Sequence, residues 1–397
     1  MSIKRVVWFL GLFLTTVSVI FAQNNCPALV ATALETVADA CDNLARNQVC
    51  YGNNQVTALD FAAEPITAFA ANGDTIDLTT LASLATAGFD EESAIWGVAV
   101  MVLQADLPET LPGQNVTFIV FGDTQLTADD TASDDLAPMQ AFSITTGIGA
   151  PDCNELPPDG VVIQAPTDTT VYFRINGVDV EIGSTAFVQT VEEGLEVSTF
   201  EGSVTVTSDD ESANIEPGFW AKIEEGEAPQ DPVPYDYDQL DGVPVELLPE
   251  AVTIPVPVNG NTTEDWLETD ILVAAGDTVT LTARGTVNFW DICETQKEEA
   301  GQPEIDCDTL IFGPAGGDPL NLAGEPLPSD MSLFPIPDAP PHSLVGRIGE
   351  NEFFIGEGGT FTAASDGLLA FRINDVDANN SGAFVVTIER PAEDVEE

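Results

Sequence analysis

Residues 170–182, TVYFRINGVDVEI, decide the fold class, because two β-rich runs flank the pair Asn176-Gly177. Asn-Gly between such runs is a strong hairpin signal, since both residues accept the positive φ angles of a tight two-residue turn. Short β-rich segments of the same kind continue on both sides of the hairpin: Val161–Ile163, Ala186–Val191, Leu195–Phe200 and Ser203–Thr207. Their even spacing predicts a small β-domain, a barrel or a sandwich, over residues 157–225.

Residues 23–156 contain the clearest helical pattern of the chain. In Cys26–Arg46, apolar residues recur every three or four positions, which predicts a helix with one buried face. A second, short helix is predicted at Leu78–Ala87. The apolar runs Ile95–Leu103 and Val116–Phe121 are typical of buried strands. We therefore expect an α+β domain in this part of the chain.

The remainder of the chain divides by composition. Residues 226–250 are rich in Pro, Asp and Glu, and we expect them to form an extended linker. In residues 251–390, β-rich segments lie on both sides of a long Pro- and Gly-rich insertion, 294–341, which predicts a β-sandwich. Residues 391–397 are an acidic tail. The fold class is thus predicted to be mainly β and multidomain.

The amino terminus has the layout of a secretory signal peptide. Lys4 and Arg5 precede an uncharged apolar stretch that ends at the small residue Ala22, so residues 1–22 are predicted to be removed on export. A retained membrane anchor is the alternative, but the stretch is at the short limit for spanning a bilayer. We expect a secreted, extracellular or cell-surface protein with no stable membrane insertion after cleavage.

Cysteine usage agrees with export. The chain has six cysteines, an even number, which outside a reducing compartment indicates three disulfides. A zinc site is the competing interpretation, but C-x-x-C pairs are absent from the sequence and there is a single histidine. Cys293 and Cys307 are isolated from the others and are predicted to close a local loop. The other four are expected to pair among themselves, in an order that the sequence leaves open: Cys26, Cys41, Cys50 and Cys153.

The charge is strongly negative, with 67 acidic residues, ten basic residues and a net charge of −57. Such a surface repels nucleic acids and anionic membranes, because it lacks the Lys and Arg that neutralise phosphate. Nucleic-acid binding is therefore excluded as a function class. Most of the carboxylates are expected to be solvated, and some could bind hard cations.

The most informative polar stretch is residues 374–382, NDVDANNSG, between two strand-like segments. Oxygen side chains at Asp375, Asp377 and Asn379 could converge on one cation, and hard oxygen ligands at alternate positions suit Ca²⁺. The stretch is not an EF-hand, because Asn380 stands where that motif has glycine. A polar hairpin loop without metal is the alternative, since Asx residues favour such loops.

Two regions resemble known families. Residues 194–206, followed by Ile215-Glu216-Pro217-Gly218, resemble the FecR-type β-domain of bacterial surface and periplasmic proteins. That resemblance implies a structural or sensory module and supplies no catalytic residues. Residues 276–285, 344–349, 373–375 and 379–388 follow the order seen in the PA-IL (LecA)-like galactose-binding lectins.

In those lectins one Ca²⁺ bridges protein and sugar. The resemblance implies that Asp375, Asn379 and Asn380 are side-chain ligands that also form the ligand-binding site, and that the carbonyl of Phe289 is a main-chain ligand. Asp377 could replace a ligand that the shorter loop lacks. The sugar-contacting His and Gln of the family have no equivalents in the insertion 294–341. His342 is expected to be a surface loop residue.

Enzyme classes receive less support. A serine or cysteine catalyst would have to use His342, and the sequence contains no Gly-x-Ser-x-Gly motif. Chance carboxylate pairs leave a secreted hydrolase as a weaker alternative. We predict a secreted, non-enzymatic protein that binds a carbohydrate or cell-surface glycan with the help of Ca²⁺. A structural or scaffolding cell-surface protein without a soluble ligand is the alternative.

Overall fold

The computed structural model describes residues 26–104, 115–129, 136–147, 156–192, 194–240, 242–290, 293–298, 301–376 and 379–389. The predicted signal peptide, Cys153, Asp377 and the acidic tail lie outside the described residues. Within the described ranges, no helix is long and apolar enough to cross a membrane.

The first part of the fold, made of the described residues up to Pro234, has one α-helix followed by short strands. Its elements are α1 (Cys26–Cys41), β1 (Gln48–Asn53), β2 (Val56–Leu59), β3 (Thr75–Asp77), β4 (Ser83–Thr86), β5 (Val98–Leu103), β6 (Val116–Phe121), β7 (Thr124–Ala128), β8 (Ala141–Thr146), β9 (Gly160–Gln164), β10 (Val171–Ile175), β11 (Val178–Ile182), β12 (Thr185–Val191), β13 (Gly194–Glu201), β14 (Val204–Ser208), β15 (Glu211–Ile215), β16 (Phe219–Ile223) and β17 (Val233–Pro234).

The second part is also strand-rich, with two short helices. Its elements are α2 (Tyr237–Leu240), β18 (Val256–Asn259), β19 (Leu267–Val273), β20 (Thr278–Asn288), α3 (Cys293–Gln296), β21 (Ile311–Phe312), β22 (Leu344–Ile348), β23 (Asn351–Phe354), β24 (Gly358–Thr362), β25 (Gly367–Ile373) and β26 (Ser381–Glu389). The prediction of a mainly β, multidomain chain is confirmed.

Strands of the first part form two sheets. Among the described residues, sheet I has nine strands in the order β17-β16-β13-β12-β9-β6-β5-β1-β3, and sheet II has eight in the order β15-β14-β11-β10-β8-β7-β4-β2. β6 pairs with β9 in sheet I, and β8 pairs with β10 in sheet II. The predicted boundary between residues 23–156 and 157–225 therefore falls inside two continuous sheets, and the two segments share one unit.

Sheet I is covered on both faces. One face packs on sheet II, while the other packs on α1 through Cys26, Val30, Ala33 and Val37. For this reason β6 is buried at every position, whereas β10 and β11 of sheet II alternate between buried and more accessible residues. The predicted helix is confirmed and ends at Cys41, which is joined to Cys50 by a disulfide.

The predicted hairpin at Asn176-Gly177 is confirmed. Ile175 pairs with Val178, and both turn residues have positive φ angles, of 51° and 79°. The predicted helix at Leu78–Ala87 is wrong. The chain there makes one 3₁₀ turn, capped by Asp77, and then enters β4, because pairing with β2 and β7 satisfies the backbone of β4.

The segment 226–250 is more ordered than the expected extended linker. Tyr235, Tyr237, Leu240 and Val243 are each at most 5% exposed and belong to the same apolar cluster as α1 and the outer face of sheet I. The Tyr235 hydroxyl also donates to the carbonyl of Pro255 at 2.7 Å. Buried apolar contacts thus override the extended preference that Pro and like charges give to this segment.

The carboxy-terminal part is a sandwich of two further sheets. Sheet III has the order β18-β26-β20-β21, with β24 also paired to β20, and sheet IV has the order β19-β25-β22-β23. Their facing side chains form the core, for example Leu281, Phe371 and Phe384. The predicted Cys293–Cys307 disulfide is confirmed and stabilises the start of the insertion. Cys26 is also disulfide-bonded.

Candidate metal and ligand site

The candidate site lies at the end of the carboxy-terminal sandwich where β25 passes into β26. Asn288 of β20 pairs with Ser381 of β26, so the next residue outward on one strand, Phe289, lies opposite Asn380 on the other. The structure therefore brings the Phe289 backbone together with the loop that contains Asp375. The family resemblance predicts that these residues form one site, and the register of the sheet places Phe289 opposite Asn380.

Asp375 of the loop is buried, with 5% of its surface exposed. Its Oδ1 accepts a hydrogen bond from the Val376 backbone at 2.8 Å, and its Oδ2 accepts one from Nδ2 of Asn380 at 3.0 Å. Of the described residues, only His342 brings a basic nitrogen within 4 Å, with Nε2 at 3.8 Å from Oδ1. A buried carboxylate without an Arg or Lys partner is costly unless a cation or a strong donor compensates it.

Asn380 fixes the geometry of the loop. Its backbone N–H donates to Oδ1 of Asn261 at 2.9 Å, and its Nδ2 donates to the carbonyl of Gly260 at 2.9 Å as well as to Asp375. The Gly260 carbonyl and the Asp375 carboxylate can only accept hydrogen bonds, so the branch of the Asn380 amide that faces them is the nitrogen. Oδ1, the other branch of the amide, is the atom of this side chain that can act as a metal ligand.

The remaining predicted ligands are less constrained. Asn379 is exposed beside Asn380, and Asp377 lies outside the described residues. In the described part of the chain, no three His, Cys, Asp or Glu side chains come together as a metal cluster. A metal held here would be coordinated by one carboxylate, amide oxygens and a main-chain carbonyl, a hard oxygen set that fits Ca²⁺ and not Zn²⁺.

His342 is not the surface loop residue expected from the sequence. Its side chain is 12% exposed and lies among three phenylalanine rings, with ring centroids at 4.7 Å from Phe289, 5.2 Å from Phe312 and 5.6 Å from Phe334. Its Nδ1 lies 3.0 Å from the Gly317 carbonyl, which can only accept, so Nδ1 carries the hydrogen. The other ring nitrogen, Nε2, therefore faces Asp375.

Asn374 attaches the insertion to the site and was missed by the sequence analysis. Its side chain is fully buried. Oδ1 accepts from the Ile336 backbone at 2.9 Å, and Nδ2 lies 3.1 Å from the Ile336 carbonyl and 3.0 Å from the Pro340 carbonyl. The end of the insertion is thus held against the residue that precedes Asp375. Local sequence offers no signal for this contact, because the partners are backbone groups of an irregular segment.

Comparisons with known proteins give partial similarities only. No family model matches the chain, and no curated protein matches it. Among solved structures, the chain is similar to the EclA N-terminal domain, a PllA-like lectin, with 16% identity, a TM-score of 0.24 and coverage of 34% of this chain and 95% of that one.

The chain is also similar to an anti-sigma factor from Parabacteroides distasonis, with 12% identity and a TM-score of 0.26. That alignment covers 41% of this chain and 63% of the anti-sigma factor chain. Each alignment spans less than half of this protein, so both are similarities of parts of the chain.

Proposed function

We propose that the protein is an exported, non-enzymatic binding protein whose carboxy-terminal sandwich holds Ca²⁺ at the 374–380 loop and uses it to bind carbohydrate. The observation that carries the proposal is the buried Asp375 carboxylate, which lies beside Asn380 and lacks an Arg or Lys partner among the described residues. Ca²⁺ would supply the missing positive charge.

The same geometry supports a role in ligand binding. Ca²⁺ takes six to eight oxygen ligands in proteins. Asp375, Asn379, Asn380 and the Phe289 carbonyl would hold it, and together with Asp377 they still leave coordination positions open. Hydroxyl groups of a sugar are hard oxygen donors of the kind that fill such positions. Asn379, exposed at the rim, is available for a direct hydrogen bond to the sugar.

Calcium titration of the mature full-length chain tests the metal. We expect heat of binding with an affinity typical of extracellular modules, a Kd of roughly 10⁻⁴ to 10⁻³ M, and its loss in Asp375→Asn. The matched control is Asp270→Asn, which removes an exposed carboxylate of β19 and should bind Ca²⁺ like the unaltered chain. No heat signal, together with the same melting temperature in Ca²⁺ and in chelator, would contradict the proposal.

Glycan-array binding in Ca²⁺ and in chelator tests the carbohydrate. Calcium-dependent capture of a glycan, lost in Asp375→Asn, is the expected result. A specific observation favours the scaffold alternative: both Asp375 oxygens already accept protein hydrogen bonds, as they would in a purely structural loop. Calcium-dependent stabilisation without any glycan signal would support that alternative and contradict carbohydrate binding.

A further inference from the structure

A cavity of about 700 Å³ lies between the 237–254 segment and the carboxy-terminal sandwich, and residues of both line it. Its floor is apolar and formed from both sides: Val243 and Ile254 come from the segment, and Ile271 and Ile388 from β19 and β26, each at most 8% exposed. The volume lies in the range of small-molecule sites, which are mostly apolar with a few placed polar groups.

Two acidic side chains, Glu246 and Glu389, line the cavity above this floor. Both are exposed to solvent. Among the described residues that line the cavity there is no Lys, Arg or His. Partial desolvation raises the pKa of Glu246, since the apolar surroundings disfavour its charged form. A cation bound beside Glu246 would lower this pKa again, because a nearby positive charge favours the ionised carboxylate.

We propose that this cavity binds a small aliphatic ammonium ligand, with its hydrocarbon chain on the Val243, Ile254, Ile271 and Ile388 floor and its ammonium group at Glu246 and Glu389. The floor buries the apolar stem, and the carboxylates supply charge-assisted acceptors for the ammonium hydrogens. A carboxylate ligand of the same length would be repelled, and an alcohol would gain only the apolar contacts.

The cavity is independent of the candidate calcium site. It uses none of the 374–380 loop residues and needs no metal. Loss of amine binding would therefore leave the calcium proposal intact, and loss of calcium binding would leave the cavity intact.

The test titrates the mature full-length chain, in chelator, with hexylammonium, hexanol and hexanoate, which share one chain and differ in the head group. We expect hexylammonium to bind about threefold more tightly than hexanol, as an ion pair with exposed carboxylates implies, and hexanoate not to bind. Glu246→Gln should weaken hexylammonium by a similar factor.

Two further variants make the result specific. Glu227→Gln removes one exposed charge outside the cavity and should leave hexylammonium binding unchanged. Thr253→Phe places a bulky ring at an exposed lining position and should abolish binding without disturbing the core. Equal binding of hexylammonium and hexanol, an equal loss in Glu227→Gln and Glu246→Gln, or undiminished binding in Thr253→Phe would each overturn the proposal.

Discussion

Removal of the Asn374 side chain is predicted to release the end of the insertion from the sandwich. The amide has one acceptor oxygen and two N–H hydrogens, so it can make three full hydrogen bonds among the contacts to Ile336, Ala339 and Pro340. At about 1 kcal/mol net for each bond, Asn374→Ala should lower the free energy of opening of this segment by about 3 kcal/mol.

Hydrogen exchange measured by mass spectrometry reports this opening directly. A loss of about 3 kcal/mol corresponds to roughly a hundredfold faster exchange in peptides that cover residues 334–341. Peptides from sheets I and II should keep their protection. Asn214→Ala, which alters an exposed asparagine of β15, is the control and should change neither region. Unchanged exchange at 334–341, or an equal acceleration throughout the chain, would refute the reasoning.

Two further predictions concern polar groups in the first unit. The buried Ser198 hydroxyl has no hydrogen-bond partner among the described residues, whereas the Thr199 hydroxyl donates to the Ile215 carbonyl at 3.0 Å. In urea denaturation, Ser198→Ala should therefore raise stability by about 1 kcal/mol and Thr199→Val should lower it by about as much; shifts in the same direction would contradict this. Desolvation, assisted by a hydrogen bond to Asp179, raises the pKa of Tyr172 to about 12, so its contribution to stability is present below pH 10 and lost as the pH rises through 12. Ultraviolet titration should show this tyrosine ionising earlier in Asp179→Asn, and an unchanged curve would contradict the assignment.

Local signals in the sequence predicted much of the secondary structure. Asn176-Gly177 defines its hairpin because the turn needs only those two residues. At Leu78–Ala87 the spacing of Leu78, Leu81 and Leu84 fits a helix, yet pairing with β2 and β7 makes a strand. The continuity of sheets I and II across the proposed boundary between residues 156 and 157 was not predictable either. Pairing of β6 with β9 joins segments on both sides of the proposed boundary, and no local pattern encodes it.

The residues of the candidate site also differ in how far the sequence predicts them. Asp375 and Asn379 lie in one short polar stretch, where alternating oxygen side chains indicated them, whereas Asn380 was added by the family resemblance. Phe289 was reached through a family resemblance, and the register of β20 with β26 places it opposite Asn380. Two of the three rings around His342, those of Phe312 and Phe334, belong to the insertion, which has no periodic pattern from which such contacts can be inferred.

The most direct test of the calcium site is a crystal structure determined with Ca²⁺, with data collected to reveal anomalous scattering. We expect an anomalous peak at the 374–380 loop, about 2.3–2.6 Å from an Asp375 carboxylate oxygen, with the Asn380 amide oxygen and the Phe289 carbonyl in the same shell. An ordered loop without a peak there, or a peak bound by other carboxylates, would contradict it.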